Sequence, residues 1–288
     1  MKKMLKRTVF FLGVIATLSP VLGQAFNPAA HVYIAGKVAR QVFPFTFDKV
    51  NLYYGSIAPD ISSYTDSWPN GFCETHYLFT ELPYAWWNPI QKAFAQGWEI
   101  HSEIGPWGAD YYAHWAHGYS GSCPFTPQMY DGYVPTQARI LAANFFLNED
   151  LAHFAIEVAI DILLVDNKDH SLGQKLLSAA LFRSPGVVNF LANVEDMGVT
   201  PEALSSAEST FRNLVINYAT ALTLCDPLRM ALLGEIGVQI ASAYGVDIDS
   251  ATVQEILRTA VDQCKTTYYE PVDQAIKGII NNKSNLIK

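Results

Sequence analysis

The sequence predicts an all-α, multi-helix fold with long ordered loops, on the strength of three observations. Apolar residues recur at three- and four-residue spacing through most of the 288-residue chain, the period of a helix with one buried face. Alternation of apolar and polar residues, the mark of a half-buried strand, forms no convincing run. Half of the residues are hydrophobic (50%), enough to bury one substantial core without division into several domains.

The chain opens with the basic stretch Met-Lys-Lys-Met-Leu-Lys-Arg and continues in an apolar run over 9–22, the layout of a signal peptide. That run is short for a membrane span of ~20 residues, and Pro20 breaks it, so a stable transmembrane span is not expected; a retained anchor helix is the competing reading. Gly23 and Ala25 offer small residues for cleavage. The expectation is a leader over 1–25, export to the periplasm or beyond the cell, and one helical domain over 26–288.

Within that domain the apolar spacing predicts helices over 29–42, 89–104, 136–147 and 150–165, then over 171–183, 185–194, 201–222, 226–244, 250–265 and 268–282. The intervals 43–51, 62–74 and 118–134 are rich in Gly, Pro, Ser, Asp and aromatic residues and read as ordered loops around a site. Only His170 of the seven histidines lies beyond position 153. Chemistry is therefore expected within 26–165, and 171–288 reads as packing, a lid or a partner surface.

The formal charge of −8 becomes −12 once Lys2, Lys3, Lys6 and Arg7 leave with the leader. So acidic a protein is a poor nonspecific binder of duplex nucleic acid, which depends on clustered Lys and Arg. In an oxidising compartment Cys73, Cys123, Cys225 and Cys264 allow three pairings. Cys73 with Cys123 and Cys225 with Cys264 is the one expected here, with free buried thiols as the alternative.

The most informative segment runs from Ala152 to Leu164, where only His153, Glu157 and Asp161 are polar. Their spacing of four places them in one stripe of an otherwise apolar helix. Buried carboxylates need neutralising. Across 51–165 there are twelve Asp and Glu, against only Lys92 and Arg139, so protein cations cannot serve most of them and metal cations can. Carboxylate and imidazole at helical spacing form a common zinc chelate, with Asp161 a candidate second carboxylate orienting the histidine. A salt-bridged or solvent-facing stripe is the bland alternative.

Asp110 and His114 repeat the four-residue spacing, and His117 follows three residues later. His76 and His101, taken singly, read as structural histidines; Asp60, just after Pro59, reads as a helix N-cap; His31 opens an amphipathic helix.

Taken in order, His31 in His-Val-Tyr-Ile-Ala, Ala-Pro-Asp60, Thr-His76-Tyr, Gly-Trp-Glu-Ile-His101, Ala-Asp110-x-x-x-His114 and His153-x-x-x-Glu157-x-x-x-Asp161 resemble the zinc-dependent phospholipase C family. Relatives of that family include the catalytic domain of glycosylphosphatidylinositol-specific phospholipase D. The resemblance covers about 26–165 and implies a helical phospholipase C or zinc-nuclease-like domain binding up to three zinc ions. It implies one site from Asp60, His76, His101 and Asp110, and a second from His114, His153 and Glu157. A third would draw on His31 and a shared Asp110, completed by the amine of Phe26 if cleavage precedes it. The nine residues from His101 to Asp110 depart from the family's single helical turn, and both His114 and His117 stay open as the ligand.

The implied activity is that of a zinc-dependent phosphoric ester hydrolase using a metal-activated water on a phosphodiester. Phospholipid is the implied substrate, with peripheral contact at a membrane. Asp60 is then a ligand alone or also the general base, and Glu103 is a poorer candidate for that role. Tyr53, Tyr54, Tyr64, Trp68, Trp86, Trp87, Trp107 and Trp115 either line a lipid or base pocket or pack the fold. The competing functions are a single-strand-specific zinc nuclease and a non-catalytic, zinc-stabilised binding protein.

Overall fold

A computed structural model describes residues 27–43, 45–65, 71, 74–78, 82–85, 87–101, 132–194 and 199–286. The fold is all-α, and among the described residues there is no strand. Its α-helices are α1 (Pro28–Val42), α2 (Lys49–Gly55), α3 (Pro89–His101), α4 (Tyr133–Phe145), α5 (Glu149–Asn167), α6 (Leu172–Phe182), α7 (Gly186–Ala192), α8 (Pro201–Leu222), α9 (Asp226–Ala243), α10 (Ser250–Cys264) and α11 (Tyr269–Leu286). A 3₁₀ helix, Ala58–Tyr64, follows α2, and a π-helical turn, Glu74–Leu78, precedes α3.

Helix starts follow local chemistry. Thr200 accepts from the Ala203 amide at 3.2 Å with Pro201 in the first turn of α8, and Asp249 accepts from Thr252 at 2.7 Å to start α10. Asn148 caps α5, whose first turn holds Glu149 and Asp150, a favourable place for negative charge. Phe146, at φ 54°, turns the chain out of α4.

Helix α5 is the axis of the molecule. From Leu151 to Val165 nearly every side chain is buried, because α4, α10, α1 and α6 pack around it. A helix that is apolar on all sides requires such a complete sheath. One continuous apolar cluster runs from Ala29 in α1 to Ile279 in α11.

Helices α2 and α3 touch backbone to backbone. A Cβ on Gly55 would lie 2.1 Å from the Phe94 carbonyl oxygen, and one on Gly97 2.1 Å from the Leu52 carbonyl oxygen. Only glycine permits this approach. It sets the end of α3, which carries His101, against the Ser56 that follows α2.

Three expectations need correction. The interval 43–51 is not all loop: α2 starts at Lys49, capped by Asp48, which accepts from the Asn51 amide at 3.1 Å and from its Nδ2 at 2.6 Å. Asp60 is not an N-cap; it lies inside the 3₁₀ helix, whose N-cap is Ile57. Cys225 and Cys264 are free thiols rather than a disulfide, since Cys225 faces solvent ahead of α9 while Cys264 is buried at the end of α10. Cys73, Cys123 and the leader over 1–25 fall outside the described residues.

Candidate metal centre

Asp60, His76 and His101 each present a ligand atom within 4.8 Å of one another, all three buried, in a cluster that can hold a metal ion. They arrive from three separate elements. Asp60 is carried by the 3₁₀ helix, in which Ser62 Oγ donates to the Pro59 carbonyl at 2.9 Å. His76 stands in the π-helical turn and His101 is the last residue of α3. Ser62 Oγ also lies 3.2 Å from Thr75 Oγ1, which sets the 3₁₀ helix against the turn.

The hydrogen bonds fix both imidazoles in one tautomer. His101 Nδ1 lies 2.8 Å from the Ser56 carbonyl, which can only accept, so Nδ1 carries the proton and the neutral ring keeps its lone pair on Nε2. The Thr75 hydroxyl donates to the Gly71 carbonyl at 2.9 Å. Its proton being committed, His76 Nδ1, 2.9 Å away, donates to Thr75 Oγ1. Both Nε2 lone pairs therefore face each other, 2.9 Å apart. Asp60 Oδ1 lies 3.4 Å from His76 Nε2 and 3.7 Å from His101 Nε2, and among the described residues it accepts no hydrogen bond.

Burial shapes the charges. It pushes the Asp60 carboxyl up to about 6, against the pull of His101. It pushes the His101 imidazole down to about 4, with His76 adding to the fall and Asp60 and the Ser56 hydrogen bond opposing it. A neutral His101 is the form that can donate a lone pair. The His31 ring stacks on His101 with centroids 4.0 Å apart and planes at 19°, so α1 contributes to the same centre.

The α5 stripe divides in two. His153 Nε2 lies 3.1 Å from Glu157 Oε1, and this pair flanks the cluster: the Glu157 carboxyl is pushed up to about 7 by burial, eased by His153 and raised further by Asp60. Asp161 does something else. Its Oδ1 accepts from the Ala30 amide at 2.8 Å and its Oδ2 from the Ala29 amide at 3.1 Å and the Tyr218 hydroxyl at 2.9 Å. It caps the first turn of α1 rather than orienting His153, a correction to the sequence expectation. Burial pushes its carboxyl up to about 8 while these three donors pull down.

The described residues thus bring together Asp60, His76 and His101, with His31 and the His153–Glu157 pair beside them. Phe26, Glu103, Asp110, His114 and His117 lie outside the described residues, as do Trp68, Trp86, Trp107 and Trp115. Tyr54 packs rather than lining a pocket, its hydroxyl donating to Glu208 at 2.6 Å, and Tyr64 leans on Phe211. Sequence reasoning missed Thr75 and the Ser56 carbonyl, which set the two tautomers. A Thr directly before a histidine was the only local hint of the first; the second depends on the α2–α3 crossing and left no sequence mark. No family model, curated protein or solved structure matches the chain.

Proposed function

We propose that the protein is a zinc-dependent phosphoric ester hydrolase, similar to phospholipase C enzymes and acting on a phosphodiester outside the cytoplasm. The observation that carries this reading is the buried convergence of His76 Nε2 and His101 Nε2, 2.9 Å apart, beside Asp60 Oδ1. Two lone pairs at that range repel unless a proton or a metal cation lies between them. Zn–N bonds of about 2.0–2.1 Å in a tetrahedron put ligand atoms about 3.3 Å apart, and the three separations here, 2.9, 3.4 and 3.7 Å, bracket that value. Two imidazoles with one carboxylate suit zinc better than calcium or magnesium, which favour all-oxygen shells.

Asp60, His76 and His101 would hold the ion, with His31, His153 and Glu157 candidates for further ions beside it. A bound zinc ion supplies an acidified water and offsets the charge that builds on phosphoryl oxygens. The chain itself sets what surrounds that chemistry. Thr75 and Ser56 hold the two imidazoles in the donor tautomer. Asp60, Glu157 and Asp161 lie near enough in buried surroundings to raise one another's carboxyls, so a bound cation would favour their ionised forms.

The test is elemental analysis of the purified mature protein followed by hydrolysis of phosphatidylcholine vesicles with and without chelator. Bound zinc, with head-group release that stops on chelation and returns with zinc, is expected. A protein without zinc, or a zinc-loaded protein inert to every phosphodiester, would sink the proposal; cleavage of single-stranded RNA alone would redirect it to a nuclease.

A further inference from the structure

The segment joining α1 to α2 presents two phenylalanines to solvent, Phe45 at 75% and Phe47 at 85% exposure, on either side of the buried Thr46. The loop is held in place rather than trailing. The Thr46 hydroxyl bonds to Gln96 Oε1 on α3, its amide donates to the Phe43 carbonyl at 3.0 Å, and the Lys49 amide donates to Phe47 at 3.1 Å. An anchored threonine fixes its neighbours pointing outward. Exposed aromatic rings held so, when not used for packing, mark a surface that meets something apolar.

The charge around the loop differs from that of the molecule. Lys37 and Arg40 are exposed on the last turns of α1, and Lys49 opens α2. Arg40 stands near enough to Lys49 to add to the burial that lowers its ammonium. Over 37–49 the only acidic residue is Asp48, and both its oxygens are engaged by Asn51. The segment is therefore net positive, by three cations to one anion, in a chain of formal charge −8.

We infer that Phe45 and Phe47, with Arg40 and Lys49 on the two helix ends that flank them and Lys37 one turn further back on α1, form a docking surface for an anionic lipid bilayer. The rings would enter the head-group boundary while the cations meet lipid phosphates and carboxylates, the two-part attraction that peripheral proteins use. The choice of a lipid over an acidic protein rests on the phospholipid reading above. Zwitterionic lipid alone satisfies the rings but not the charges.

The experiment is sedimentation of the chelator-treated mature protein, without the leader, with phosphatidylcholine vesicles, with and without phosphatidylserine, alongside Phe45→Ser/Phe47→Ser and Lys37→Gln/Arg40→Gln. All four side chains are exposed, so unchanged circular dichroism confirms that the variants fold. Wild type is expected to favour phosphatidylserine vesicles and to release as salt rises, with binding lowered roughly tenfold or more in each variant. No binding by wild type, or full binding by either variant, overturns the proposal, as does capture by an acidic protein with vesicles ignored. Hydrolysis of a soluble phosphodiester is measured in parallel and should be unchanged by either variant. Hydrolysis without vesicle binding overturns the docking surface alone; vesicle binding without hydrolysis supports it and removes the catalytic reading.

Discussion

Asp161 Oδ1 accepts from the Ala30 amide at 2.8 Å, so a carboxylate in the middle of α5 caps the helix that carries His31. Two consecutive amides and a tyrosine hydroxyl converge on this one buried group. Truncation would strand all three donors away from water.

Asp161→Ala is accordingly expected to cost about 3 kcal/mol or more, since each buried donor left unmatched costs about 1–3 kcal/mol. Tyr218→Phe, which removes one donor and leaves the two amides satisfied, should cost about 1 kcal/mol. Urea unfolding of both variants checks the ranking. Equal stabilities would mean that the cap is not what holds α1 to α5.

Asp60→Asn and His76→Ala should each lower bound metal by about one equivalent relative to wild type, by loss of a ligand from the same cluster. Glu157→Ala tests the neighbouring pair in the same way. Retention of full metal content by the Asp60 and His76 variants, read by elemental analysis, would show that the cluster is not a metal centre.

Metal affinity should fall on acidification, with a sign set by the two groups' protons. With Asp60 near 6 and His101 near 4, binding above pH 6 displaces no proton from either. Between about 6 and 4 it must displace one from Asp60, so affinity drops about tenfold per pH unit, and more steeply below 4 as His101 also charges. Competition with a chromophoric chelator measures the slope. An affinity that is flat from pH 7 to 5 would contradict the assignment of Asp60 as a ligand.

Cys225 and Cys264 should differ sharply in reactivity. Cys225 is exposed, whereas burial holds the Cys264 thiol near 11, with Tyr133 opposing. The thiolate is the reactive form, so iodoacetamide at neutral pH should modify Cys225 in the native protein and Cys264 only after unfolding. Peptide mapping that finds the two joined would restore the disulfide.

Gly97→Ala separates two opposing effects. Alanine gains about 1 kcal/mol over glycine in helix propensity. Its Cβ would sit 2.1 Å from the Leu52 carbonyl oxygen and 2.7 Å from the Ser56 amide nitrogen, and overpacking against backbone costs about 1–3 kcal/mol or more. The clash should win, giving lower thermal stability and weaker metal binding together. A more stable variant would mean that the crossing can relax freely.

Much of the fold was legible because long helices repeat their apolar spacing: the interval predicted over 201–222 appears as Pro201–Leu222 and that over 150–165 as Glu149–Asn167. Helix α2 was not legible, since seven residues hold under two turns of any pattern, although Asp48 three residues before Asn51 was a usable capping signal. At the site, periodicity placed His153, Glu157 and Asp161 on one stripe but could not say what each would meet. The partner of Asp161 is a helix start more than a hundred residues away in sequence, and spacing along one helix carries no information about that. The facing of His76 and His101 depends likewise on a turn and a crossing, neither of which leaves a periodic trace.

The glycine contact between α2 and α3 has a bearing on timing. Because Ser56 and His101 are positioned by backbone against backbone, the placement of the His101 ring does not depend on an ion. A ligand ring framed in this way should keep its place in the apoprotein, so that folding comes first and any ion second.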